Sequence, residues 1–193
     1  MMITIPMFPL SILPLPGELV PLHIFEPRYK QLLQDAESDD TSFGIFFNST
    51  INTEKVGSLM KLESVIKRYP AGESDIIVKC HDVFTMEKLY RTFKTKMYPG
   101  GDVTLKEIDL NEMGGGTLTE LFTEYLAKRN IMRQQSFFSV YTIAQELNLE
   151  LNDRYNFLLS DYAGRINFLV HRIKYQMQIL NHEEKSKDVF HLN

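Results

Sequence analysis

The chain has 193 residues and a net charge of −4, with 21 Lys and Arg residues against 25 Asp and Glu residues. A chain of this length can bury about 70% of the surface that its unfolded form exposes, so it needs no disulfide to fold. Cys80 is the single cysteine, which excludes an internal disulfide and a cysteine-based zinc site. Its apolar neighbours predict a small buried side chain rather than a reactive thiol.

The distribution of charge and of apolar residues excludes several classes of protein. Residues 1–116 hold 12 basic and 16 acidic residues, a balance that argues against binding to nucleic acid phosphates. The stretch 1–10 has no basic region and is broken by Pro6 and Pro9, so a secretory signal is not predicted. No run of about 18 apolar residues occurs, so no membrane span is predicted. A cytoplasmic location is expected.

Residues 1–112 are predicted to form a β-rich subdomain with one short helix. Pro27 suits the first turn of that helix, whose inward face is predicted to hold Tyr29, Leu32, Leu33 and Ala36. Turns rich in Pro and Gly, including Tyr98-Pro99-Gly100-Gly101, separate short apolar segments. These segments predict strands at 3–10, 19–25, 42–47, 56–67, 75–86, 89–97 and 103–108. A barrel or compact sandwich is therefore favoured over a parallel α/β sheet.

The sequence period becomes helical after a glycine linker at 113–116. A helical subdomain is predicted over 117–181, opening with a capping box at Thr117-x-x-Glu120. A second helix and a short third helix follow, the third with Asn152 as its expected cap, and a long last helix is capped by Ser160 or Asp161. A polar, flexible tail is predicted at 182–193.

One nine-residue stretch, Pro21-Leu22-His23-Ile24-Phe25-Glu26-Pro27-Arg28-Tyr29, carries a resemblance to a known family. Together with looser matches at 8–10, 15–18, 43–45 and 56–58, it resembles the N-terminal substrate-binding domain of Lon-type ATP-dependent proteases (peptidase S16 family-like). The resemblance spans roughly residues 3–181. It implies an α+β fold, in which a PUA-like, six-stranded β pseudobarrel with one short helix precedes a helical bundle that ends in a long helix. The sequence departs from the family at His81-Asp82-Val83-Phe84, where an Arg-Phe pair is usual, so the role of that arginine is not carried over.

The resemblance places the candidate polypeptide-binding residues at the corner between a strand and the short helix: His23, Phe25, Glu26, Arg28 and Tyr29. Judged by their chemistry alone, the same residues could instead serve only to stabilise the turn between the strand and the helix. The carboxylate of Glu26 could cap the helix, or it could pair with Arg28.

Motifs for catalysis are not found. The run Gly114-Gly115-Gly116-Thr117 lacks the lysine of a phosphate-binding loop, so ATPase activity is not predicted. Ser64 and Lys67, spaced like a catalytic dyad, would diverge on a strand. The histidines lack metal-ligand spacing. We therefore predict no catalytic residue, no metal site, no cofactor and no enzyme activity, although the family name invites the label of an ATP-dependent protease.

The function predicted from these observations is recognition of unfolded or partner polypeptides, through an apolar groove or an exposed strand edge. An ATP-dependent protease acting in trans is a conceivable partner. The alternative is a PUA-like RNA-binding domain. Its cations would be Lys67, Arg68, Arg91, Lys94, Lys96, Arg165, Arg172 and Lys174.

Overall fold

A computed structural model describes residues 2–132 and 137–190 of the chain, with side chains as far as residue 183. The chain forms two compact units, Met1–Leu110 and Asn111–Asn193. The predicted α+β class is confirmed. Within the described ranges, no helix has both the length and the apolar character that crossing a membrane requires.

The first unit is a six-stranded sheet that closes on itself through one long strand. Its elements are β1 (Met2–Leu10), β2 (Leu19–Ile24), α1 (Pro27–Asp39), β3 (Phe43–Phe47), β4 (Val56–Arg68), β5 (Ser74–Tyr90) and β6 (Gly100–Leu105). The strand order is β2-β5-β4-β3-β1-β6, and β6 also pairs with β5. β1 and β3 are parallel, and the other pairs are antiparallel. The first half of β5 pairs with β2 and the second half with β6, so one strand holds the fold together.

Helix α1 covers one end of the sheet with the face that the sequence predicts. Its buried residues are Tyr29, Leu32, Leu33 and Ala36, and Pro27 occupies the first turn. They pack in a core cluster with side chains from the strands, among them Phe8, Ile24, Phe43, Ile45 and Met60. Burial of this stripe, rather than helix propensity, stabilises so short a helix.

The strands predicted from sequence differ most from the structure between residues 86 and 101. The predicted strands at 75–86 and 89–97 are instead a single strand, β5, that ends at Tyr90. Gly100 and Gly101, predicted as part of a turn, begin β6. A Cβ on Gly101 would lie 2.8 Å from Cε of Met7 and 3.0 Å from the carbonyl oxygen of Lys88. The glycines are therefore needed for close packing within the sheet, which local sequence does not reveal.

Strand β2 lies at an edge of the sheet. Among the described strands it pairs with β5 alone, in the register His23↔Asp75 and Pro21↔Ile77. Proline has no N–H, so a strand tolerates it where its nitrogen faces away from the partner strand. Leu19, Pro21 and His23 are exposed and alternate with half-buried or buried residues, so they share the outer face of β2.

Buried polar side chains fix the loops of the first unit. The amide of Asn52 donates to the carbonyl oxygens of Phe47 and Val56 and accepts from the N–H of Val56, each at 2.8 Å. This closes the connection from β3 to β4. The hydroxyl of Ser58 donates to the carbonyl of Pro14 at 2.7 Å. Cys80 lies beside the same carbonyl and is fully buried, as predicted, and burial raises the pKa of its thiol.

The second unit contains helices α2 (Gly115–Lys128), α3 (Val140–Glu146), α4 (Leu151–Leu159) and α5 (Tyr162–Phe190). The predicted cap residues are wrong for two of them. Gly114, not Thr117, caps α2, and Glu150, not Asn152, caps α4. Asp161 caps α5, as predicted, since its carboxylate accepts from the N–H of Gly164 at 2.8 Å.

Arg165 joins two parts of the second unit. Its Nε and Nη2 donate to the two carboxylate oxygens of Glu112 at 2.9 and 2.8 Å, and the main-chain carbonyl of Glu112 accepts from the N–H of Val140. Both side chains of the ion pair are largely buried. A bidentate pair in such surroundings fixes the geometry more firmly than an exposed pair does.

The buried face of α5 includes Leu169, Ile173 and Met177. The helix continues through Phe190, across most of the segment predicted as a tail. The flexibility of residues 182–193 and the subdomain bounds drawn from sequence stay predictions.

We expect Asn52→Ala to lower the free energy of unfolding by at least about 2 kcal/mol, because three buried backbone groups lose their hydrogen-bond partner. Asn48→Ala, at an exposed position in the same connection, should change it by less than about 0.5 kcal/mol. Urea denaturation of both variants measures the difference. Equal stability of the two would refute the role given to Asn52.

Candidate polypeptide-binding surface

The stretch that carries the family resemblance forms a sharp corner between β2 and α1. Glu26 is the N-cap of α1 with extended backbone angles, φ −71° and ψ 137°. Its main-chain carbonyl accepts from the N–H groups of Tyr29 and Lys30 at 3.0 and 2.9 Å. The carboxylate of Glu26 makes no capping hydrogen bond, so the predicted side-chain cap is wrong. The missing N–H of Pro27 costs nothing at this position.

The carboxylate of Glu26 instead pairs with Arg28, the second of the two possibilities raised by the sequence. Nε of Arg28 donates to Oε2 of Glu26 at 2.9 Å, and its Nη2 lies 2.8 Å from the same oxygen. Both side chains are well exposed, so the pair adds little to stability. Both remain accessible to a ligand.

Tyr29 differs from the other four predicted site residues because its side chain is buried. Only 4% of the residue is exposed, and its ring stacks on that of Phe8 with 3.8 Å between centroids. Burial raises the pKa of Tyr29. The guanidinium of Arg28 lies 4.6 Å above the ring. Tyr29 therefore packs in the core beneath the corner, and its ring contacts the guanidinium of Arg28.

His23 and Phe25 lie next to each other on the outside of the corner. Phe25 is 59% exposed, an unusual state for so large an apolar side chain. Its ring stacks on that of His23 with 6.0 Å between centroids. The ring of Tyr69, from the connection between β4 and β5, makes a T-shaped contact with the imidazole, with 5.8 Å between centroids. We call the exposed residues His23, Phe25 and Arg28, together with the half-buried residues Glu26 and Tyr69, the corner surface.

A carboxylate beneath the corner surface links two of these rings. Oδ1 of Asp75 lies 2.7 Å from Nδ1 of His23, and Oδ2 accepts from the hydroxyl of Tyr69 at 2.7 Å. These hydrogen bonds, first that of Tyr69 and then that of His23, hold the pKa of Asp75 below its ordinary value. The hydrogen bond between Tyr69 and Asp75 also raises the pKa of the Tyr69 hydroxyl. Sequence reasoning missed Asp75 and Tyr69, which lie about fifty positions from His23 and belong to no motif.

The connection that carries Tyr69 is tied to α1 and to itself. The N–H of Tyr69 donates to the carbonyl of Glu73, and the N–H of Gly72 donates to the carbonyl of Tyr69. Gly72 has φ +88°, a conformation that favours glycine. Nζ of Lys30 donates to the carbonyl of Ala71 at 3.0 Å. The aromatic side chains of the corner surface therefore rest on a well-anchored backbone.

Each unit also contains a cleft. That of the first unit has a volume of about 420 Å³ and lies near the C-terminal end of α1. In its wall, Asp35 pairs with Lys96 at 2.9 Å and accepts from the hydroxyl of Tyr98 at 2.6 Å. Burial favours a higher pKa for Asp35, but these two hydrogen bonds outweigh it and lower the pKa. Both carboxylate oxygens are thus already used within the protein.

The cleft of the second unit, about 330 Å³, lies between α2 and α5. The hydroxyl of Tyr125 accepts from Arg129 at 2.8 Å and donates to Gln176 at 2.6 Å. Ile179 and Leu180 complete the wall. Within the described part of the chain, no group of three or more His, Cys, Asp and Glu side chains is arranged to hold a metal ion.

Comparison with known proteins relates the chain to one family. The family model described as ATP-dependent protease La (LON) substrate-binding domain matches residues 4–183. A Lon N-terminal domain protein from Xanthomonas campestris superposes with a TM-score of 0.67 at 21% identity, covering 88% of this chain and 98% of that one. The N-terminal domain of a Mycobacterium avium complex Lon protease gives 0.60 at 16% identity, covering 89% and 98%. At these identities the structures establish a shared fold. No curated protein matches the sequence.

We expect Tyr69→Phe to raise the pKa of Asp75 towards its ordinary value, because the substitution removes the main cause of the low pKa. A low folded-state pKa contributes stability that is fully present above the unfolded value of about 3.9 and is lost as the pH falls through the folded value. The difference in the free energy of unfolding between wild type and Tyr69→Phe should therefore shrink as the pH falls over that range. NMR titration of the Asp75 carboxyl carbon measures the shift.

Tyr90→Phe is the matched control, since the hydroxyl of Tyr90 donates to Asp102 in a similar half-buried pair. It should move the titration of Asp102 and leave that of Asp75 unchanged. If Asp75 titrates alike in wild type and Tyr69→Phe, the proposed cause of its low pKa is wrong.

Proposed function

Because the chain belongs to the family of ATP-dependent protease La (LON) substrate-binding domains, we propose that it binds unfolded polypeptide segments through the corner surface and carries out no catalysis itself. Membership confirms the resemblance carried by residues 21–29 and supports a substrate-recognition module. The matched family is that of the substrate-binding domain and not of a catalytic domain.

The observation that carries the choice of surface is the exposure of Phe25 on a rigid support. The ring is held against His23, and the backbone on either side is fixed by β2 and by the first turn of α1. An exposed aromatic ring whose position is already fixed loses little conformational entropy when it binds. Such rings commonly dominate the energetics of protein recognition.

The neighbouring surface suits a polypeptide that has both apolar and polar side chains. Leu19 is 56% exposed on the face of β2 that also carries His23. Glu26 and Arg28 supply an acceptor and a donor at the opposite end. An extended segment could therefore place apolar side chains against Leu19 and Phe25 and polar groups against the ion pair. Binding of this kind is expected to be micromolar and broad in specificity.

The charges of the described residues favour polypeptide over RNA as the ligand. Several of the cations on which an RNA-binding function would depend are paired with carboxylates: Arg68 with Glu37, Lys96 with Asp35, Arg165 with Glu112 and Arg172 with Asp153. A cation that already has an acidic partner gains less from a phosphate. RNA binding is therefore the less favoured function.

Two further parts of the proposal concern the cell. We propose an ATP-dependent protease acting in trans as a partner, because the matched family is that of a protease substrate-binding domain. We also place the protein in the cytoplasm. Co-purification with such a protease and cell fractionation test these two points.

The main test is a fluorescence-anisotropy titration with a reduced, carboxymethylated protein that cannot fold. Wild type should bind it with a Kd in the range of about 1–50 μM, and Phe25→Ala should raise the Kd about tenfold. The loss is expected because the exposed ring supplies the central apolar contact.

Met97→Ala is the matched control, because Met97 is 55% exposed in the same unit but lies outside the corner surface. Its Kd should equal that of wild type. Equal effects of the two substitutions would show that the corner surface is not the binding site. Tight, steeply salt-dependent binding to a labelled RNA strand in a parallel titration would favour the RNA-binding alternative.

A further inference from the structure

The three-residue chain Tyr69–Asp75–His23 orients one side chain of the corner surface. His23 and Asp75 are directly opposite each other in the β2–β5 ladder. Asp75 is in contact with both Nδ1 of His23 and the hydroxyl of Tyr69, each at 2.7 Å. The imidazole also contacts the ring of Phe25, which stacks on it, and the ring of Tyr69, which is nearly perpendicular to it. The orientation of His23 is thus fixed by one hydrogen bond and two ring contacts.

The direction of these hydrogen bonds determines which nitrogen of His23 carries the proton. An ionised carboxylate can only accept hydrogen bonds. Because the pKa of Asp75 is lowered, its carboxylate is ionised at neutral pH. Nδ1 of His23 is therefore the donor to Asp75. In a neutral imidazole the other nitrogen, Nε2, then carries a lone pair and acts as an acceptor.

Nε2 of His23 is left available to a ligand. The side chain of His23 is 53% exposed, and no described residue forms a hydrogen bond with Nε2. The exposed ring of Phe25 stacks on the same imidazole. An oriented acceptor next to an apolar surface is a suitable arrangement for a backbone N–H group that is adjacent to an apolar side chain.

We propose that Nε2 of His23 accepts a hydrogen bond from a backbone N–H of a bound, extended polypeptide whose neighbouring apolar side chain lies on Phe25. The inference rests on the proposed function and adds to it a reason for selectivity. In folded proteins more than about nine tenths of buried backbone N–H groups are already paired. Extended, unfolded segments have free N–H groups, so the acceptor favours them.

The protonation of His23 can be measured without any ligand. In alkaline buffer, where imidazoles are neutral, long-range ¹H–¹⁵N correlation spectra should show the proton of His23 on Nδ1. A proton on Nε2 would overturn the inference, because that nitrogen would then be a donor.

The binding test uses an eight-residue peptide with a central phenylalanine, blocked at both ends, and a series in which one backbone amide at a time is N-methylated. At one position, methylation should weaken binding to wild type roughly three- to tenfold, the range of a single hydrogen bond. The same methylation should have no effect on binding to His23→Leu, which lacks the acceptor. In Phe25→Ala, which keeps the acceptor, the effect of methylation should persist on a weaker overall affinity.

The outcomes separate this inference from the proposed function. If the peptide binds, and binds Phe25→Ala more weakly, but no methylated position depends on His23, the inference fails and the proposed function stands. If neither the peptide nor the unfolded protein binds wild type at tens of micromolar, both fail. Circular dichroism of His23→Leu is the control that checks whether the variant is folded.

Discussion

The first unit depends on the ability of β5 to form hydrogen bonds along its whole length with three other strands. It is 17 residues long, pairs with β4 along one edge, and pairs with β2 and then β6 along the other. In the second half of β5, side chains of this strand pack directly against the backbone of β4. A Cβ on Gly57 would lie 2.3 Å from Cζ of Phe84, which is fully buried. The first half of β5 holds β2 in register, and that register places His23 opposite Asp75. The geometry of the corner surface therefore follows from the same strand that closes the sheet.

The elements that sequence predicts well are those whose signals are local. The inward face of α1 follows from spacings of three and four residues, and its start follows from Pro27, so both agree with the structure. The end of β5 and the start of β6 have no such signal. The sequence predicts a turn at Gly100 and Gly101, but both lie in β6, where a Cβ would clash with Phe93 or Met7. Likewise, the predicted cap of α2 was wrong because a backbone start at Gly114 competes with a side-chain cap at Thr117.

The candidate site shows the same division between local and distant information. The resemblance names His23, Phe25, Glu26, Arg28 and Tyr29, and the structure brings four of them to the surface while it buries the fifth. The burial of Tyr29 follows from its place on the α1 stripe. The partners of His23 could not be found in this way, because Asp75 and Tyr69 reach it only through strand pairing. Sequence thus located the corner, whereas the hydrogen-bond chain that orients it required the three-dimensional structure.

Pro21 interrupts the row of hydrogen-bond donors along the open edge of β2. A surface that holds unfolded chains beside an open strand edge could act as a template, since an unpaired row of N–H and C=O groups recruits further strands and promotes fibril growth. β2 pairs with β5 alone among the described strands, and Pro21 removes an N–H near the middle of that edge. Without the central donor, a captured segment cannot form a continuous ladder with β2. Under the proposed function, Pro21 would therefore limit the growth of a β ladder from this edge onto a bound segment.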